Sequence, residues 1–400
     1  MQPRALERLR RLARAYQSIA LIVFNTLLVF FLLNLPFYVA DFLFPEEDAL
    51  ARMGRRVIGT YGIEHLKTGY SGMTVEEVAQ LQHETWSRLV SYEPLTEYRE
   101  TPYQGRFISI STNGFRLVKD QAPWPPDPRN FNVFALGGST TFGYGVADEQ
   151  TFPSRLQEQL RPLAAGRLVC VYNFGRAAYY CTQERILFEQ FLEAGLRPDL
   201  AVFMDGLNDS GFTKNGTVNS ETLSHTMEHL YPRVRHSLVT VFPAVRQGQK
   251  FFIDHGWLKA DPTTSPTALE NPDWPGDDEQ IADRVVARYL ANQAMITAVA
   301  ARFQVKTLFL WQPVANYHGQ AERARFPIAK APIKRCPAIY QRIDKLRTTG
   351  KLPENLIWLA DMQLGRDEIL YIDAFHYSPA FYGSIAAETA KCIAELGLLR

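Results

Sequence analysis

The sequence predicts an α/β fold, a parallel sheet covered by helices on both faces, from two observations. From residue 131 onward, short apolar runs alternate with segments of helical periodicity, and that alternation builds parallel sheets buried on both sides. Three of these runs, Asn132–Leu136, Leu168–Tyr172 and Leu200–Met204, lead into polar clusters: Gly137-Gly138-Ser139-Thr140, Asn173-Phe174-Gly175 and Gly206-Leu207-Asn208-Asp209. A fourth cluster, Asp373-Ala374-Phe375-His376, stands near the C-terminus. In open parallel sheets the carboxyl ends of the strands form the ligand crevice, so these clusters are expected to converge.

At the N-terminus, Ile19–Ala40 is a mostly apolar stretch of 22 residues. As a helix it reaches about 33 Å, enough for a hydrocarbon core of ~30 Å. Arg4, Arg8, Arg10, Arg11 and Arg14 precede it, and Asp41, Glu46, Glu47 and Asp48 follow. The positive-inside rule then places residues 1–16 in the cytoplasm, 17–44 as a transmembrane anchor, and the rest in the periplasm or another extracytoplasmic space. A cleaved signal peptide is the rival, with a shorter apolar region of about 7–15 residues.

Residues 45–130 read as a juxtamembrane lead-in, with a helical segment over Glu76–Leu89 and a rigid stretch at Trp124-Pro125-Pro126. The catalytic unit is expected over 131–400. Phe152, Leu156, Leu160 and Leu163 repeat at helical spacing, with Pro153 in the first turn. A second helix is expected over Thr182–Ala194, closed by Gly195. Residues 210–278 have little periodicity and several prolines, and are read as an insertion after the third strand. Ile281, Val285, Tyr289, Ile296, Val299 and Phe303 line one helical face. Strands Thr307–Trp311 and Leu356–Ala360 and a helix over Pro379–Leu396 complete the pattern.

The clusters carry the parts needed for nucleophilic attack on an acyl group. Ser139 follows two glycines that permit a sharp turn. A serine hydroxyl needs a base, which His376 supplies, and Asp373 three positions earlier can hold that ring in the productive tautomer. The backbone N–H groups of Ser139 and Gly175 and the side-chain amide of Asn208 are candidate oxyanion donors. Taken singly, each cluster also reads as an ordinary turn or helix cap.

Together, these four clusters resemble the blocks of the SGNH (GDSL-type) hydrolase and acyltransferase superfamily. The resemblance extends to Phe142-Gly143, to Tyr179 through Gln183, and to Ser378-Pro379 and Gly383. It covers residues 131–209 and 307–395. It implies a three-layer flavodoxin-like sheet of order 2-1-3-4-5, with Ser139 as nucleophile, Gly175 and Asn208 completing the oxyanion hole, and Asp373 and His376 completing a triad. Gly138 departs from the pattern, since the family often carries aspartate before the nucleophile.

Other motifs point elsewhere. Thr141 breaks the Gly-x-Ser-x-Gly elbow of α/β-hydrolases, and no phosphate loop is present. His225-Thr226-Met227-Glu228-His229 matches one zinc-protease pattern without a clear third ligand. Arg323, Arg325, Lys330, Lys334 and Arg335 form a basic stretch that is either solvated or faces an acidic glycan or lipid. Trp257, Trp274, Tyr317 and His318 either stack on sugar rings or pack the insertion. Asn215-Gly216-Thr217 is a sequon.

The net charge of +1 gives no general pull toward nucleic acid. Four cysteines, Cys170, Cys181, Cys336 and Cys392, are too few for a disulfide scaffold. Three full pairings are open; Cys181 with Cys336 is preferred because both fall near strand ends, and free thiols are the alternative. The expected function is a membrane-anchored serine esterase acting on small acyl (O-acetyl) esters of an envelope polysaccharide, with no metal or organic cofactor. An O-acyltransferase with the same triad is one alternative, and a catalytically silent glycan-binding or assembly protein is the other.

Overall fold

A computed structural model describes residues 3–43, 62–164, 166–211, 274–318 and 335–399, together with 58, 59, 242, 245, 248, 251 and 252. The chain divides into two units, one of residues 1–47 with 224–269, the other of 48–223 with 270–400. The first unit holds α1 (Pro3–Leu43), in which the arginine segment and the apolar stretch form one continuous helix. It is long and apolar enough to cross a membrane. Its apolar side chains, Ile19, Phe24, Leu27 and Phe31 among them, lie exposed, unlike those of a core helix.

The second unit begins with α2 (Ile63–Lys67) and α3 (Val75–Trp86). Thr74 and Glu77 cap α3 reciprocally, with Thr74 accepting from the Glu77 N–H and the Glu77 carboxylate accepting from the Thr74 N–H. Two antiparallel hairpins follow, β1 (Val90–Glu93) with β2 (Glu97–Glu100) and β3 (Tyr103–Gln104) with β4 (Ser109–Ile110). The sequence pattern had not indicated them, because strands of two to four residues are too short to show an alternation.

The sheet itself comprises β5 (Phe131–Gly137), β6 (Val169–Gly175), β7 (Leu200–Asp205), β8 (Lys306–Trp311) and β9 (Leu356–Trp358), all parallel, in the order β6-β5-β7-β8-β9. This is the expected 2-1-3-4-5 arrangement. Its reversal point lies beside β5, the strand that delivers Ser139. β9 is shorter than expected, because the chain turns into a 3₁₀ helix at Ala360–Gln363.

The intervening helices are α4 (Ser139–Phe142), α5 (Phe152–Leu160), α6 (Cys181–Glu193), α7 (Leu207–Gly211), α8 (Asp278–Arg302), α9 (Cys336–Thr348) and α10 (Pro379–Glu395). One face of the sheet packs Phe134, Phe203, Phe309 and Trp311 against α6, α8 and α9. The other packs Val133, Val171, Val202 and Leu308 against α5 and α10. Residues on alternate positions of each strand thus bury into different layers, as a three-layer fold demands. The lead-in closes the β6 edge through an antiparallel bridge from Arg116 to Asn173, covering an otherwise unpaired strand.

The four cysteines are free thiols, which corrects the preferred Cys181–Cys336 pair. Each of these two residues opens a different helix and is buried. Burial pushes the Cys336 thiol up to about 12, the state of an inert core residue. Tyr317 is likewise a packing residue, buried against Tyr340 and Trp358, and Trp274 covers the Arg288 guanidinium. The His225–His229 motif, the sequon, Trp257, the basic residues 323–334 and nearly all of the 210–278 insertion lie outside the described residues.

Candidate active site

Four strand and loop ends of the second unit meet at the reversal point. Ser139 opens α4 directly after β5 and is partly exposed, while Thr140 and Thr141 behind it are buried. His376 and Asp373 sit on a tight loop before α10. That loop is closed by the Ile372 N–H donating to the His376 carbonyl at 2.9 Å and by a bridge between Tyr371 and Tyr377. Ser378 then caps α10, accepting from the Phe381 N–H.

The side chains form a continuous line. The Ser139 Oγ lies 2.9 Å from His376 Nε2, and His376 Nδ1 lies 2.7 Å from Asp373 Oδ2. Asp373 Oδ1 accepts from the Phe375 and His376 N–H groups at 2.7 and 2.8 Å. Burial pushes the Asp373 carboxyl up, but the His376 ring and these amides more than offset it, leaving it below the ordinary value. An ionised Asp373 makes Nδ1 the donor, which leaves the Nε2 lone pair directed at the serine hydroxyl.

The three expected oxyanion donors fare differently. The Ser139 N–H donates to no group among the described residues. The Asn208 amide reaches the same corner, donating one hydrogen to the Tyr179 carbonyl at 2.7 Å, and its second hydrogen remains available. Gly175 is a correction: its N–H is buried and donates to Asn173 Oδ1 at 3.0 Å. A Cβ at Gly175 would lie 2.1 Å from the Phe142 nitrogen, so this glycine is needed for close backbone packing under α4.

An amide that the sequence reading missed stands three residues on. Ala178 has φ +54°, a left-handed conformation uncommon for a residue with a side chain. Its N–H donates to no group among the described residues. Its neighbours are firmly held, the Ala177 carbonyl by the Tyr98 hydroxyl and the Tyr179 carbonyl by Asn208. No sequence signal singled out Ala178, and Gly175 was the more conspicuous residue.

A second missed group surrounds the imidazole. Tyr144 stacks on His376 with centroids 5.5 Å apart and planes at 20°. Trp86, from the lead-in, approaches the same ring at 5.8 Å and 70°. Arg116, fully buried, secures the loop carrying Tyr144. Its guanidinium donates to the carbonyls of Phe142, Gly143 and Val146 and to Asp148.

Beneath Asn208 lies a buried acidic group. Asp209 accepts from the Gly206 and Cys181 N–H groups at 3.3 and 3.4 Å, tying the Asn208 turn to the start of α6. Glu184 and Asp205 lie buried beside it. Burial, then the neighbouring Asp209, pushes the Asp205 carboxyl up to about 8, and Glu184 shifts in the same direction.

The chain is similar to solved lipolytic acylhydrolases. A lipase/acylhydrolase from Enterococcus faecalis shares 14% identity over 66% of this chain and 96% of its own, with a TM-score of 0.34. Est24, a carbohydrate acetylesterase from Sinorhizobium meliloti, shares 14% over 66% of this chain and 99% of its own at 0.32. The lipase Lip_vut3 from a goat rumen metagenome shares 10% over 65% and 97% at 0.38. No family model matches the chain, and no curated protein does.

Proposed function

We propose that this chain is an SGNH-type serine ester hydrolase, acting on small acyl esters through an acyl-enzyme on Ser139. The observation that carries the reading is the unbroken line Ser139–His376–Asp373, with contacts of 2.9 and 2.7 Å. Ser139 Oγ attacks the acyl carbonyl as His376 Nε2 takes its proton. The oxyanion is held by the Ser139 and Ala178 N–H groups and the Asn208 amide, each contributing about 3 kcal/mol in the transition state. Collapse returns the proton to the leaving alcohol, and water repeats the sequence to release the acid.

The substrate reading is an O-acetyl group on an envelope polysaccharide, with α1 as a signal anchor and the catalytic unit extracytoplasmic. Trp86, Tyr144 and Phe375 crowd the imidazole, which favours a short acyl chain. Transfer to a sugar hydroxyl in place of water uses the same groups and remains the second reading. A silent binding protein has no need of an aligned proton path.

The full chain in detergent, given nitrophenyl acetate, butyrate and octanoate, should hydrolyse the shortest ester fastest and lose that activity in Ser139→Ala. A serine-directed fluorophosphonate should label Ser139; labelling of another residue overturns the assignment. Acetylated polysaccharide then separates the readings, by free acetate for hydrolysis or acetate moved to a new hydroxyl for transfer.

A further inference from the structure

The lead-in contributes more to this site than coverage of a sheet edge. The Trp86 indole N–H donates to Gln82 Oε1 at 3.1 Å, the Gln82 amide to the Tyr70 hydroxyl at 2.8 Å, and that hydroxyl to the Gly145 carbonyl at 2.6 Å. This relay ties α3 to the residue after Tyr144, so the Trp86 and Tyr144 rings beside His376 are set by one network. Trp86 and Tyr144 also touch each other, edge to face, at 5.1 Å.

Tyr144 is polarised as well as positioned. Its hydroxyl donates to Glu100 Oε1 at 3.1 Å, and the Glu100 carboxylate faces the buried Arg88 at 3.7 Å. A phenol donating to a carboxylate has a more electron-rich ring. The face of such a ring attracts a cation, and the cation in this reaction is the imidazolium formed when Ser139 gives up its proton.

We propose that Trp86 and Tyr144 form an aromatic clamp that holds the His376 ring in line with Ser139 and stabilises its protonated form. The inference rests on the hydrolase reading and deepens it, making both aromatics positioning residues of that reaction. The charged and titratable groups around the clamp are Asp373 on the histidine loop, Tyr70, Arg88 and Glu100 from the lead-in, Arg116 beneath the Tyr144 loop, and Tyr382 of α10. Arg88 opposes the effect, with its guanidinium 5.2 Å from the Tyr144 centroid, but its charge is paired with Glu100.

The test is the pH profile of kcat/KM in the full chain, with rates normalised to sites titrated by fluorophosphonate. Tyr144→Leu and Trp86→Leu should lower kcat about 3–30-fold with little change in KM, and move the acid limb of the profile to lower pH by roughly half a unit. Loss of packing alone lowers the amplitude and leaves the limb in place. Pentafluorophenylalanine at position 144, compared with Tyr144→Phe, keeps the ring and reverses its quadrupole, and should reproduce the shift even where leucine impairs folding. Acid limbs that coincide with wild type in these variants overturn the clamp. A wild-type chain that neither cleaves esters nor labels at Ser139 overturns instead the hydrolase reading beneath it.

Discussion

The Asn208 amide donates to the Tyr179 carbonyl at 2.7 Å, and the same nitrogen would stand only 2.1 Å from a Cβ at position 138. The glycine before Ser139 is therefore matched to the asparagine that faces it. Gly138→Ala should displace the Asn208 side chain and reduce kcat to a similar degree as Asn208→Ala, about 10²–10³-fold. Steady-state kinetics of both variants and of the double variant check this. Effects that multiply in the double variant would show that the two residues act separately.

Gly175 and Ala178 should separate structure from catalysis. Gly175→Ala places a methyl 2.1 Å from backbone that cannot withdraw, costing about 1–3 kcal/mol or more. Its effect should be a lowered thermal midpoint. Ala178→Gly keeps the N–H and relieves a side chain at φ +54°, so activity should be retained with equal or slightly higher stability.

Asp373→Asn should reduce kcat by roughly 10³–10⁴-fold, because an amide no longer selects the productive tautomer. In the wild type the Asp373 carboxyl lies below its ordinary value, so it stays ionised across the working range. The stability it confers is present above the unfolded-state value and is lost as pH falls through the folded one.

Stability should run the other way because of Glu184 and Asp205. With the folded-state value of Asp205 raised to about 8, the unfolded chain releases its proton first as pH rises. The contribution is therefore fully present below about pH 4 and declines until about pH 8. Asp205→Asn or Glu184→Gln should flatten that decline, measured by urea midpoints from pH 5 to 8. A slope identical to wild type would show that the pair does not hold a shared proton.

Arg116 is fully buried with its partners around it. Arg116→Met removes the ion pair with Asp148 and the guanidinium bonds to the Phe142, Gly143 and Val146 carbonyls, and should destabilise the fold by about 3–5 kcal/mol. Esterase activity at low temperature should fall too, since the Tyr144 loop loses its support.

Much of this fold was legible because its strands are buried on both faces. Runs such as Leu200–Met204 must be wholly apolar, and each strand end must carry the polar residues that line the crevice. Those two constraints revealed the α/β class and Ser139, Asp373, Asn208 and His376 as candidates. The lead-in hairpins were hidden, being short and stabilised by tertiary contacts such as Arg116 with Asn173.

Periodicity and motif spacing report which residues face inward and where a chain turns, so the sequence by itself determined the layered architecture and the candidate reacting groups. Which amide is already engaged, which rings press on the imidazole, and whether two cysteines meet were decided only by tertiary structure. Gly175 and Ala178 differ in whether a donor has a partner, and Trp86 reaches His376 across 290 positions of chain. Such relations are distances in space, set by how the layers pack, and no local pattern of residues encodes them.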